Sequence, residues 1–374
     1  MEKYIKNHSE WIDSTWEKLD KKLSRIAIKS RDKIPYTTVN GEHDNRIGCI
    51  NAWTNGFFGG LMWIMYLGTK NEEYKITAER QEDFLDKALS DYEKLHHDVG
   101  FMWDITSGVN YRVTGNEKSK NRWATAASLL ASRYNIDGGF IRAWNGKGTE
   151  GYTIIDCMMN IPMLYRANEL NGDDRFKSIA MRHADMTMNH HIREDGSVYH
   201  IVDHNPKTGE VVDCLAGQGY AKESSWSRGQ SWAVYGFAMS YIFTKEKKYL
   251  DIAKKVAHYF ITNLADNDYL PLVDFRSPDE PVFYDSTASA AAACGLIEIA
   301  RCVPEHEKKI YINAAIKMLK ALEENYCDWT DSEDSILQMG TDEYNGETHV
   351  PIIYGDFFFA EAILKLKGND FLMW

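Results

Sequence analysis

The chain has 374 residues, 44% of them hydrophobic, with Lys+Arg 43 against Asp+Glu 55 and a net charge of −12. That length is long for one domain and short for three, and the apolar content supports a large core. The acidic surface repels polyanions, which sets nucleic acid aside as a partner but leaves room for a small acidic ligand held by local cations.

The N-terminal segment MEKYIKNHSEWIDSTWEKLDKK is charged throughout and lacks the apolar centre of a signal peptide. Apolar stretches such as GFFGGLMWIMYLG (56–68) fall short of the roughly 18–20 residues that cross a bilayer. The six cysteines, Cys49, Cys157, Cys214, Cys294, Cys302 and Cys327, show no CxxC spacing. Cys157, Cys294 and Cys302 lie in apolar helical stretches, where free cysteine behaves as a small hydrophobe. The expectation is a soluble, reduced, cytoplasmic protein with no membrane partner.

An amphipathic helix opens the chain at 9–29, with Trp11, Ile12, Trp16, Leu19, Leu23 and Ile26 on its apolar side. Five later helix starts share the form aromatic-x-x-x-Ala: Tyr74 and Ala78, Trp123 and Ala127, Phe176 and Ala180, Tyr249 and Ala253, Tyr311 and Ala315. Each pair places both residues on one helix face, where alanine lets a neighbouring helix approach. Between these starts run more apolar helical segments, at 54–68, 101–112, 152–170, 228–244, 285–302 and 355–367. Helices apolar all round must be surrounded by protein, and helices with one apolar stripe can cover them. Six of each predict an all-α fold, an (α/α)6 barrel of six helical hairpins forming one domain over 1–374. The alternating VYHIVDH (198–204), the turn NPKTGE and VVDCLAG predict a small β-hairpin. Loop-rich stretches at 28–55, 136–151, 195–227 and 266–284 each lead into an inner helix and should gather at one barrel end, where sites are built.

Along those loops the chemistry-bearing residues come in sequence. Trp53 in NAWTNGFFGG, Trp144 in RAWNGKG and His200 in VYH offer flat apolar faces and hydroxyl donors to a sugar. HHDVGF (96–101) brings His97 and Asp98 to a helix end, without a third metal ligand at a telling spacing. In GYTIIDCMMNIPMLY (151–165), Asp156 lies among Ile154, Ile155, Met158, Met159 and Ile161. Burial disfavours the charged form, so Asp156 is expected to keep its proton near neutral pH and serve as a general acid. Asn160, one turn on, is placed to hydrogen-bond the carboxyl, and Asp98 facing Asp156 would raise the proton affinity of the pair by repulsion. In ESSWSRGQSWAVYGF (223–237), Ser227 and Gln230 form the S-x-x-Q pattern of a capping box. Arg228 in the first helical turn, with the helix N-terminus, predicts a seat for a carboxylate, and Trp232 shares its face.

These segments, in this order, resemble the unsaturated glucuronyl hydrolases of glycoside hydrolase family 88. The stretches that carry the likeness are WTNGFFGGLMW, HHDVGF, AWNGKG, TIIDCMMNIP, SSWSRGQSWAVYGFA, DSTASAAAACGLIEIA and YGDFFFAEAIL. The resemblance implies the (α/α)6 barrel and a small unsaturated oligosaccharide as substrate. It implies removal of a 4,5-unsaturated uronic acid from the non-reducing end of lyase-generated glycosaminoglycan or related fragments, by hydration of the vinyl ether. It implies Asp156 as catalytic acid and base and Asp98 as second carboxylate. Trp53, His97, Trp144, His200, Gln218, Trp226, Arg228 and Trp232 are implied as substrate contacts, and no metal or organic cofactor is implied.

Two departures narrow the likeness. Where some relatives have a histidine before the glutamine, this chain has Gly217-Gln218, so one polar contact is expected to be absent. The Ser-x-x-Ser-x-Lys stretch of relatives acting on sulfated fragments has no counterpart in GTDEYNGETHVPIIYGD (340–356), so a sulfate would have to be held by Lys or Arg elsewhere. Three other readings stand beside this one. An unsaturated rhamnogalacturonyl hydrolase shares the fold, a barrel epimerase would depend on histidine pairs, and a non-catalytic saccharide-binding protein would need no buried acid.

Overall fold

The computed structural model describes residues 2–264 and 268–374. Among the described residues, twelve helices build two rings and alternate between them, as the apolar patterning predicts. The outer ring holds α1 (Ser9–Lys29), α3 (Glu72–Leu85), α5 (Glu117–Ser132), α7 (Asp174–His190), α9 (Lys247–Leu264) and α11 (Glu305–Asn325). The inner ring holds α2 (Phe57–Thr69), α4, α6 (Pro162–Asn171), α8 (Ser227–Thr244), α10 (Ser286–Cys302) and α12 (Ile353–Leu366). Helix α4 is composite, running through Val99–Trp103, Asp104–Gly108 and Val109–Thr114. Its middle piece is a π-turn, where the buried Asp104 accepts the indole N–H of Trp123 from α5.

The division follows from burial. Every residue of α10 from Ser286 to Ala300 is buried, whereas α1 buries one stripe through Ile12, Trp16, Leu19, Leu23 and Ile26. In four of the five aromatic-x-x-x-Ala pairs both members are buried, and Phe176 is half-buried. The two rings share one continuous apolar core.

The turn from inner to outer helix repeats a local device. A left-handed residue ends the inner helix (Lys70, Gly115, Gly172), and an Asn or Asp then caps the next one (Asn71, Asn116, Asp173) through its side chain. This tight joint fixes one end of the barrel. All the longer connections run from an outer helix back to an inner one, at the opposite end, as expected. Residues 266 and 267 of the loop expected at 266–284 lie outside the described residues.

Two expectations change. The helix expected over 152–170 starts later: Tyr152–Ile154 is a strand, Ile155–Met159 a single 3-10 turn, and α6 begins at Pro162. Proline fits the first helical turn and nothing earlier, and the Tyr-Thr-Ile run suits a sheet. That strand pairs antiparallel with Ile201–His204, which pairs with Val211–Leu215, so the expected hairpin is part of a three-stranded sheet. The capping box does not form. Trp226 takes the cap position and bridges Asp274, Ser227 Oγ donates to the Val273 carbonyl, and the Gln230 amide donates to the carbonyls of Gly196 and Val256.

Helix α4 and the 3-10 turn meet closely. Phe101 N–H donates to Asn160 Oδ1 at 3.0 Å, and a Cβ on Gly100 would stand 2.8 Å from the Asn160 Cα. Only glycine allows that approach. Trp374 fills the barrel interior from below, stacked on Phe358 at 5.9 Å and edge-on to Phe101 at 5.6 Å.

Candidate active site

Asp156 sits in the 3-10 turn between the central sheet and α6, buried among the aliphatic residues expected from the sequence. The sheet brings His200 to it: Ile154 pairs with Ile201, and the Ile155 N–H donates to the His200 carbonyl. His200 Nε2 then lies 3.4 Å from Asp156 Oδ2. The Gln218 backbone N–H donates to His200 Nδ1 at 2.9 Å, which places the ring hydrogen on Nε2, facing the carboxylate. Gln218 is thus part of the site, but its side-chain amide is used on the Asp342 carbonyl.

Asp98 stands at the start of α4. Its Oδ1 lies 3.1 Å from His97 Nε2, its Oδ2 3.4 Å from His96 Nδ1, and Asn160 Nδ2 donates to Oδ1 at 3.2 Å. Burial pushes the Asp98 carboxyl up, but the neighbouring charge of His97, then that of His96 and the hydrogen bond from Asn160, pull harder and hold it below its usual value. Burial likewise disfavours a charged His97, and Asp98 outweighs it, raising the imidazole. The expected repulsion between two facing carboxylates is therefore replaced, on the Asp98 side, by an ion pair. Asn160 joins the two acids differently than expected, donating to the Asp98 carboxylate and to the backbone carbonyl of Asp156 at 3.1 Å. Trp144 stands edge-on to His97, ring centres 5.5 Å apart.

The remaining rim is aromatic. His200 packs against Trp226 at 4.2 Å, Arg228 lies over Trp226 at 4.4 Å and over Tyr354 at 5.2 Å, and Tyr354 stacks on Trp53 at 5.2 Å. Trp53 touches Phe101, whose backbone is bonded to Asn160. These contacts close a ring around the barrel mouth from Asp156 back to Asp156.

Arg228 is largely committed within the protein. It is wholly buried, with Nη1 bonded to Asp285 Oδ2 at 2.7 Å and to the Thr341 carbonyl, and Nη2 bonded to the Asp342 carbonyl. The end-on fork of Nη1 and Nη2 is therefore taken from within the protein, while Nε on its side-on edge has no hydrogen bond. Trp232 is also fully buried and packs beneath the ring against Phe101 and Phe358, so it forms the floor and not an exposed contact surface. Tyr354 and Phe101 were hidden in the sequence by their neighbours, since IYGDFFF and GFMW read only as apolar helix.

Buried polar atoms without a hydrogen bond concentrate here. They include Asp156 Oδ2, His200 Nε2, His97 Nε2, His96 Nδ1, Trp226 Nε1, Trp232 Nε1, Arg228 Nε and Tyr354 OH. A native structure satisfies most such atoms, so a cluster of orphans around one mouth marks a place shaped for a polar ligand. The pattern of Glycosyl Hydrolase Family 88 matches residues 24–334. The chain belongs to Glycosyl Hydrolase Family 88. Its relatives include the unsaturated glucuronyl hydrolase of Bacillus sp. (strain GL1), 33% identical over 94% of this chain and 95% of that one. An unsaturated chondroitin disaccharide hydrolase of Streptococcus pyogenes serotype M1 is 33% identical over 84% of this chain and 80% of its own. The crystal structure of unsaturated glucuronyl hydrolase from Bacillus sp. GL1 superimposes with a TM-score of 0.88, at 31% identity, covering 94% of this chain and 97% of that one. The Family 88 match spans the HHD segment, the Asp156 turn and the Trp226–Trp232 segment, while Tyr354 lies beyond it. Membership makes the protein a glycoside hydrolase on an (α/α)6 barrel. Among the described residues no helix is long and apolar enough to cross a membrane.

Proposed function

We propose that this protein removes the 4,5-unsaturated uronic acid from the non-reducing end of small lyase-generated oligosaccharides, with Asp156 as acid and base. Asp156 donates a proton to C4 of the enol ether, and C5 takes up a water whose proton returns to Asp156. The resulting C5 hemiketal opens to a ketone, which leaves a hemiacetal at C1, and this collapses to an aldehyde as the leaving sugar departs with its hydroxyl. One residue serves both proton transfers because giving up the first proton prepares it to accept the second. The carboxylate-separation rule for ordinary glycosidases does not apply, since the glycosidic bond breaks after hydration.

In this reading His200 Nε2 holds the Asp156 carboxylate and a sugar hydroxyl together. The ion pair of Asp98 with His97 forms a fixed polar wall, Trp53 and Trp144 supply ring faces to the pyranose, and Trp226, packed against His200 and Arg228, offers its unpartnered indole N–H. Gln218 aligns His200 through its backbone. Arg228 contributes as a buried positive charge behind Trp226 and Tyr354 rather than by touching the uronate. The observation that carries the proposal is the circle of unpartnered buried donors and acceptors centred on Asp156 and His200. Incubation with unsaturated disaccharides of chondroitin, hyaluronan, heparin and gellan tests it. Loss of the ultraviolet absorbance of the conjugated double bond is expected, and unchanged absorbance with all four would overturn it.

A further inference from the structure

From the sequence, HHD offers no third ligand at a telling spacing, yet the fold turns all three side chains toward one point. The ligand atoms of His96, His97 and Asp98 lie within 4.8 Å of one another. Two separations are 3.1 and 3.4 Å. Ligands about 2.0–2.1 Å from a tetrahedral zinc stand about 3.4 Å apart, a span that each histidine already keeps from Asp98, His97 from Oδ1 and His96 from Oδ2. The separation between the two histidines is within 4.8 Å, and the His96 side chain is 25% exposed.

Two further features are those of a metal site. His97 Nδ1 faces the Ala143 carbonyl at 3.0 Å, which fixes its hydrogen there and presents Nε2 toward Asp98. Asn160 Nδ2 orients the carboxylate from behind. Yet His96 Nδ1 and His97 Nε2, the two nitrogens that point inward, have no hydrogen bond, and His97 is only 1% exposed. The nearby guanidinium of Arg133 is turned away, bonded to the carbonyls of Leu95, Arg142 and Ala143 and to Asn145 Oδ1.

We propose that His96, His97 and Asp98 form a binding site for one zinc(II) ion or a similar divalent transition metal. Coordination replaces any proton on His97 Nε2, which is released to solvent. The metal ties up Asp98 and His97, which are joined through Asn160 to the Asp156 backbone, so occupancy switches turnover off and a chelator restores it. The switching half rests on the proposed hydrolysis; the binding half does not.

Equilibrium dialysis of the chelator-treated full chain against zinc(II), without substrate, separates the two. One ion per chain is expected, with affinity at least tenfold weaker in His96→Gln and in His97→Gln, and unchanged in His190→Gln, which alters the other close histidine pair. Cobalt(II) should give the visible absorption of a four-coordinate site in the wild type and not in His96→Gln. Equal zinc affinity in His96→Gln, or no binding at 1 mM zinc(II), overturns the site. Full turnover with one bound equivalent overturns the switch alone. Melting curves of His96→Gln, a partly exposed position, verify that the variant is folded.

Discussion

Asp156 Oδ2 and His200 Nε2 face each other at 3.4 Å, both buried and neither hydrogen-bonded. The pair is held by the sheet and by Gln218, so the geometry survives a change in the carboxyl itself. Asp156→Asn keeps size and shape but can neither donate nor accept the proton at C4. Turnover should fall roughly a thousandfold, the scale of a lost general acid. Disaccharide affinity, measured by calorimetry, should stay within tenfold. Turnover within tenfold of wild type would remove Asp156 from the acid role.

Asn160 links the two acids and also accepts Phe101 N–H where α4 meets the 3-10 turn. Asn160→Leu strands a buried amide hydrogen and one face of Asp98, at a cost of about 1–3 kcal/mol for each unsatisfied group. The expected result is a lower melting temperature together with a loss of kcat larger than the rise in KM. Asn160→Asp should be worse, since it adds negative charge beside Asp98. A variant with wild-type kcat would show that the link is dispensable.

The barrel was legible because its two helix types differ in apolar coverage over many residues. The Asn and Asp caps after Lys70, Gly115 and Gly172 mark its hairpins as well. Asp156 stood out as a charge in an aliphatic run, and the aromatic loops followed. What failed was partner assignment over distance. Arg228 and Asp285 are 57 positions apart and the Thr341 carbonyl 113 away, so nothing local revealed that Nη1 is already taken. Ser227 and Gln230 matched a local cap, but the strand bridge of Trp226 to Asp274 drew both side chains elsewhere. Tertiary pairing overrode the local pattern in each case.

Arg228 and Asp285 are both wholly buried. Asp285 is held in turn by Thr287 N–H, the Thr287 hydroxyl and Thr341 N–H. Arg228→Ala leaves that carboxylate buried without its cation, which typically costs about 3–5 kcal/mol. The variant should melt well below wild type, and Asp285→Asn on that background should recover part of the loss. If Arg228→Ala unfolds in urea like the wild type while binding weakens alone, the guanidinium serves the ligand after all.

Stability should depend on pH through two histidines behind the site. Burial pushes the ring of His183 down to about 3 and that of His204 to about 4. An unfolded histidine titrates near 6.5, so as pH falls below that value the unfolded chain takes up protons that the folded chain refuses. Stability is thus fully present above about 6.5 and drains as pH drops toward 4, by about 2 kcal/mol per ring between pH 7 and pH 5. Urea unfolding at the two pH values checks this. His204→Asn should reduce the difference, and an equal difference would assign the acid lability to other groups.

The floor of the site depends on Trp374. Its indole stacks on Phe358 and meets Phe101 edge-on, and both phenylalanines touch Trp232, while Phe101 also touches Trp53. The Arg166 side chain fixes the Trp374 carbonyl at 2.6 Å, and Arg112 fixes that of Met373 at 2.7 Å, so the ring is held at one height in the barrel. Trp374→Ala opens a large cavity there, worth about 3–5 kcal/mol. Because the cavity lies directly below Phe101, the aromatic rim should loosen and kcat/KM should fall about tenfold, measured well below the lowered melting temperature. Trp374→Phe should restore most of both. Wild-type kcat/KM in the folded alanine variant would mean that the floor holds its shape without the plug.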